Sequence, residues 1–200
     1  MGMFDDLMSK YNSTSTTTTM GTLTVQKYEK STLDTYLNST WYNTLSTEAK
    51  NAIVPKNVVC DAWYYNDTGD PDYTGTYGSS VPGKNNYTIS KYAGGTLNIG
   101  NRNVFALSVQ DVIDYLSDES MRVDTSAILK NVNIWKMFWN DETSNTKMLW
   151  LQSSRADKSS SAWYVVGIDG NLYNYLFVAN SGIVRPALNL DFSKISFAIT

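Results

Sequence analysis

Apolar, β-prone residues near the C-terminus fall into three runs separated by turn chemistry, and these runs organise the chain. Met148-Leu149-Trp150-Leu151-Gln152-Ser153-Ser154-Arg155 comes first, Trp163-Tyr164-Val165-Val166 second, and Gly182-Ile183-Val184-Arg185-Pro186-Ala187-Leu188-Asn189-Leu190 last. Asp169-Gly170, between Val166 and Leu172-Tyr173-Asn174-Tyr175-Leu176-Phe177, predicts a hairpin, because Asp-Gly accepts the positive φ of a tight turn. A turn at Asn180-Ser181-Gly182 then predicts a third strand through Val184 and Leu188. Trp150, Val165, Val184 and Leu188 are expected in the core. Arg185 is expected as an internal tie, since a guanidinium inside an apolar run must be paired.

Upstream the period changes. Leu33, Tyr36, Leu37 and Trp41 share one helical face, with Ser31 as N-cap and Asp34 three residues on. A second short helix, about Thr47 to Ile53, must stop before Pro55, which pushes its predecessor out of the α region. Thr22 to Val25 and Asn57 to Tyr65 suit strands, and residues 66–100 read as long loops with short strands. Val104 to Leu107 reads as a buried strand entering a helix capped by Ser108, with Asp111 at the third position and Leu107 stapled to Val112. Val112, Ile113 and Leu116 then face the core. Ala127 to Trp139 fits helix or strand equally.

The N-terminus differs in character. Phe4, Leu7, Met8 and Tyr11 have helical spacing over barely two turns, which predicts a frayed end or a segment that docks on a partner. Asn12 to Thr19 is a polar, low-complexity run expected to be a linker. The predicted organisation is therefore a docking segment and linker over residues 1–20 and a compact domain over 21–200.

Composition narrows the function classes. Two hundred residues, 42% of them hydrophobic, support one domain with a substantial core. A net charge of −3 and a pI near 4.9 leave no basic footprint for nucleic acid. No apolar run is long enough for a membrane span, and Met1 to Tyr11 lacks the pattern of a secretory signal. Histidine is absent and Cys60 is the single cysteine. Intrachain disulfides, Cys/His zinc sites and every His-based nucleophilic mechanism are thereby excluded. The polar surface is rich in Ser, Thr, Asn and Tyr, a composition that suits contact surfaces.

Four motifs invite chemistry. Trp139-Asn140-Asp141 matches a sugar-binding triplet of calcium-dependent lectins, but the upstream partner motif is missing and a polar turn is the expectation. Asp67, Asp70 and Asp72 crowd oxygen ligands without EF-hand spacing, so a solvated turn is expected, with loop calcium as the alternative. Sequons at Asn12, Asn38 and Asn86 are what an Asn- and Thr-rich chain contains by chance. The 19 Asp and Glu residues offer no spacing that singles out a glycosidase pair.

Trp150-Leu151-Gln152-Ser153-Ser154, Trp163-Tyr164-Val165-Val166, Asp169-Gly170 and Gly182-Ile183-Val184-Arg185-Pro186-Ala187-Leu188 together resemble the C-terminal signature of an uncharacterised bacterial and phage domain family. That signature reads Trp-Leu-Arg-Ser, a Val-containing strand, an Asp-Gly turn and Gly-Val-Arg-Pro-Ala-Leu, and Gln152 stands where the family has Arg. Tyr28 to Asn38 and Phe105-Ala106-Leu107-Ser108 extend the likeness to about Val25 to Phe197. The resemblance implies an α+β, C-type-lectin-like fold, with a small twisted antiparallel sheet, two or more helices and long loops. Enzymes of that superfold use a cysteine pair that Cys60 cannot form, so it implies no catalysis and no cofactor. Its diversified binders imply a recognition surface, here Gln152, Arg155, Asp157, Lys158, Trp163, Tyr173, Asn174 and Tyr175. The expected function is a non-catalytic recognition or adhesion module of a virion or bacterial surface, binding a glycan or protein receptor. The alternatives are a virion attachment domain that docks on neighbouring subunits through its N-terminus, and a carbohydrate-active or formylglycine-enzyme-like enzyme.

Overall fold

The computed structural model describes residues 8–66, 80–82, 88–116, 148–166, 172–174 and 177–195. In chain order, the N-terminal part contributes β1 (Met8–Lys10), β2 (Thr17–Met20), β3 (Leu23–Gln26) and α1 (Thr32–Thr35). α1 continues as a π-helical segment, Tyr36–Trp41, into α2 (Tyr42–Thr44), and α3 (Thr47–Ala52) follows. Next come β4 (Ile53–Val54), β5 (Lys56–Cys60), β6 (Ala62–Asn66), β7 (Ser80–Pro82), β8 (Thr88–Lys91), β9 (Leu97–Arg102) and α4 (Val109–Tyr115). The C-terminal part is β10 (Met148–Arg155), β11 (Ala162–Val166), β12 (Leu172–Tyr173), β13 (Ser181–Ile183), β14 (Asn189–Leu190) and a 3-10 turn, Phe192–Lys194. The domain is α+β, mostly sheet with a few short helices.

β10 is the axis. Antiparallel β11 lies along one edge, and parallel β13 and β6 share the other, near its start and its end respectively. All eight residues of β10 are buried, as for a strand covered on both faces. Met148 and Trp150 enter one core with Tyr11, Tyr28, Leu37 and Val104, while Leu149 and Leu151 enter a second with Trp63, Val109, Val112 and Trp163. Gly182 of β13 passes over Trp150 so closely that a Cβ would lie 2.6 Å from the indole nitrogen.

The local cap predictions correspond to observed bonds. Ser31 accepts from the Asp34 amide at 3.0 Å, and Ser108 and Asp111 form a reciprocal capping box at the start of α4. α3 ends at Ala52, ahead of Pro55. β11 and β12 pair antiparallel, Tyr164 opposite Tyr173, as the hairpin reading requires, although Asp169 and Gly170 themselves lie outside the described residues. The third run, read as one strand through Val184 and Leu188, is instead two short strands with both residues between them, and Leu188, expected in the core, is half-buried. Its β13 pairs with β1 and β10, and β14 pairs with β4 in a separate two-stranded sheet.

Three further expectations are corrected. The run read as a linker contains β2, which pairs with β3 around Gly21, whose φ of +59 falls where a type II′ hairpin favours glycine. Threonine is β-branched and fits an exposed hairpin, so a polar composition concealed a strand. Ahead of it, Tyr11 is fully buried and its hydroxyl donates to the Gln152 carbonyl at 2.9 Å, so from Met8 onward this segment belongs to the domain. Arg185, expected as an internal tie, is exposed rather than internal, at the edge of a small apolar pocket beside Leu107, Val112 and Leu116. Val184 next to it takes the buried place. Among the described residues, Arg102 and Arg155 hold carboxylates through paired guanidinium bonds. Met1 to Leu7, the Asp67/Asp70/Asp72 cluster, Ala127 to Trp139, Trp139-Asn140-Asp141 and Tyr175 lie outside the described residues.

Candidate functional site

The residues expected to form a contact surface separate into three environments. Gln152, Trp163 and Asn174 are buried. Trp163 donates its indole N–H to the Trp63 carbonyl at 3.1 Å, inside the second core. Asn174 falls one step beyond the Tyr164–Tyr173 pair, alongside Trp163, and neither of its amide atoms has a hydrogen-bond partner. Arg155 is buried and forms a bidentate pair with Asp157, at 2.6 and 2.7 Å. Asp157 and Lys158 are exposed, and the Lys158 ammonium stands 5.5 Å from the exposed Phe177 ring. Tyr173 is half-buried and stacks on Tyr164 at 6.1 Å. Among the described residues of that set, the accessible contact groups are Asp157, Lys158 and part of Tyr173. The buried ones are framework.

A second buried polar network fixes the far end of β10. Asp61 accepts from the Ser153 hydroxyl and pairs with Lys91 at 3.4 Å, while the Val109 amide at the start of α4 donates to Ser153 at 2.8 Å. This network joins the β5–β6 junction, β8, β10 and α4 through hydrogen bonds and an ion pair, a structural arrangement.

The candidate site lies elsewhere, in an open groove of about 450 Å³ between α1, the π-helical segment and the end of β9. Its floor is the pair Arg102–Asp34. The Arg102 Nε donates to both Asp34 oxygens at 2.9 and 3.2 Å, and Nη2 donates to Oδ2 at 3.1 Å. Nη1 is spent on the carbonyls of Ile99 and Asn101. The hydrogen bonds to the Asp34 carboxylate push the proton affinity of the guanidinium further up. Asn38 completes the floor, donating to Asp34 Oδ1 at 3.0 Å and bonding both the carbonyl and the amide of Val104. Asn38 and Ser39 sit on the π-helical segment, a local widening that recurs at functional sites in other proteins.

The rim is different. Lys30, Thr35, Asn101 and Asn103 line it, and among the described residues the side chains of Lys30, Asn101 and Asn103 have no internal partner. Preorganised floor and available rim are what a polar ligand requires. Reaction chemistry is less well served, because both Asp34 oxygens are already occupied by donors. Sequence reasoning treated Asp34 as a cap and Asn38 as a chance sequon, and passed over Asn101-Arg102-Asn103. A signal was present in Asn98-Ile99-Gly100-Asn101-Arg102-Asn103, three amides and a guanidinium around a glycine with φ of +78.

The α+β domain with this groove belongs to a recognised family. The chain is a member of the family described as a domain of unknown function (DUF6273), whose model matches residues 7–192. No curated protein and no solved structure matches it. No helix among the described residues is long and apolar enough to cross a membrane.

Proposed function

We propose that this domain is a non-catalytic recognition module with a C-type-lectin-like fold, carried by a phage particle or bacterial surface protein, and that it binds a glycan receptor in the Asn101–Arg102–Asn103 groove. The observation that carries the reading is the division of labour in that groove. Arg102, Asp34 and Asn38 are consumed by one another, while the Asn101 and Asn103 amides stand unpaired at the rim. Planar amides offer donor and acceptor together, which matches the paired hydroxyls of a sugar, and a rigid floor limits the entropy lost on binding. At the loop around Asp157 and Lys158, by contrast, the Asp157 carboxylate is already held by Arg155.

Binding of the full chain to an oligosaccharide array, beside an Asn101→Ala/Asn103→Ala variant of equal melting temperature, tests the proposal. Two lost hydrogen bonds correspond to roughly a tenfold to thirtyfold weaker signal. Unchanged binding by the variant would contradict it.

A further inference from the structure

We propose that the groove selects an anionic sugar, one bearing a carboxylate such as a uronic acid, and that Lys30 is the residue that makes the selection. This deepens the groove reading and rests on it. The lining holds two cations, Lys30 and Arg102, against one carboxylate, Asp34. Arg102 and Asp34 neutralise each other, which leaves Lys30 as the uncompensated charge. Glu29, its chain neighbour, is held by Lys27 at 3.2 Å and does not line the groove. Four of the five Arg102 N–H groups are engaged, so one Nη2 hydrogen remains beside the floor for a second contact to the same anion.

The backbone at Lys30 gives the independent argument. Tyr28 to Ser31 form a turn closed by the Ser31 amide on the Tyr28 carbonyl at 2.8 Å, and Lys30 occupies its third position with φ of +58. Type II turns require positive φ there and favour glycine or asparagine. Among the described residues no other non-glycine has positive φ. The Lys30 amide donates to Asp34 Oδ2 at 2.9 Å, a bond that glycine would keep. The fold therefore has no use for the lysine side chain at this position, and the backbone disfavours it. What lysine adds is an exposed ammonium at the mouth of the groove.

The test uses the full chain and its Lys30→Gly variant on galacturonic-acid oligosaccharides and on their methyl esters, which keep the skeleton and lose the charge. The expected result is about a two- to fivefold preference of the wild type for the free acid, the size of an exposed ion pair, shrinking at high salt. Lys30→Gly should lose that preference with a melting temperature equal to or above that of the wild type. A preference that survives in Lys30→Gly, or a lowered melting temperature of that variant, would overturn the inference. Equal wild-type binding of acid and ester would overturn the charge selection while leaving the groove reading standing, provided Asn101→Ala/Asn103→Ala still weakens binding. If the wild type binds neither form but binds another sugar through Asn101 and Asn103, the ligand class alone is wrong. Failure to bind any sugar would overturn both.

Discussion

Arg102 closes a loop of 68 residues by laying its guanidinium along the carboxylate of Asp34. The pair joins the end of β9 to the first turn of α1, and with Asn38 it is the floor of the groove. Asp34 is buried and Arg102 only partly exposed, so removing one partner strands a charge in a poorly solvated place. Arg102→Ala should cost about 3 kcal/mol in urea unfolding. The Arg102→Ala/Asp34→Asn double variant should recover part of that loss, because the stranded charge is gone. A single-variant cost under about 0.5 kcal/mol would place the pair with weakly coupled surface ion pairs.

Gly182 and Trp150 set a second expectation. A methyl group at residue 182 would press on the indole nitrogen at 2.6 Å and on Cδ1 at 2.9 Å, with the Met148 carbonyl at 3.2 Å behind it. Trp150 is itself held edge-on between Tyr11 and Tyr164, with centroids 5.7 and 6.0 Å away, and has little room to retreat. Gly182→Ala should destabilise by roughly 1–3 kcal/mol, read as a lowered midpoint in chemical denaturation.

Alkaline pH should weaken the domain. Burial pushes the Cys60 thiol from its ordinary 9.0 up to about 12, and burial likewise pushes the Tyr11 and Tyr28 hydroxyls above theirs. Above pH 9 the unfolded chain loses these protons first, so the native state binds more protons and stability falls as pH rises. The contribution is whole below about pH 9 and declines as pH climbs towards 12 and beyond. Melting temperatures at pH 7.5, 9.5 and 11 should fall in that order, and Cys60 should resist iodoacetamide at pH 8 until the protein is unfolded.

Ser108 and Ser153 offer an internal comparison at the start of α4. Ser108→Ala removes one side of a capping box whose other member, Asp111, is only partly buried, and should cost about 1 kcal/mol. Ser153→Ala leaves both the Asp61 carboxylate and the Val109 amide short of a partner in a buried place, and should cost more, roughly 2–4 kcal/mol. Equal losses measured by urea unfolding would show that the Asp61–Ser153–Val109 chain adds nothing beyond an ordinary cap.

Local signals were legible because their physics is local. Ser31, Ser108 and Asp111 announce helix starts within three or four residues, and Pro55 limits α3 from just beyond its end. The polar strand β2 was not legible, since exposed threonines in a hairpin have the composition of a linker. Nor was the burial of Gln152, Trp163 and Asn174. β10 is covered on both faces, so the alternation that would mark inside from outside is lost. The groove depends on contacts such as Arg102 to Asp34 and Asn38 to Val104, which bridge more than sixty residues and leave no periodic trace. Tyr-, Asn- and Ser-rich composition pointed to loops in which Gln152, Trp163 and Asn174 are buried, while the amide cluster at Asn101 and Asn103 looked like ordinary turn chemistry.

The groove as the binding surface can be tested residue by residue. Amide-resolved NMR of the full chain, titrated with galacturonic-acid oligosaccharide, should shift the side-chain amides of Asn101 and Asn103 and the backbone signals of Lys30, Thr35 and Arg102, and leave Asp157, Lys158 and Tyr173 unmoved. Shifts confined to Asp157, Lys158 and Tyr173, with the groove silent, would contradict the account and return the binding surface to the C-terminal loops.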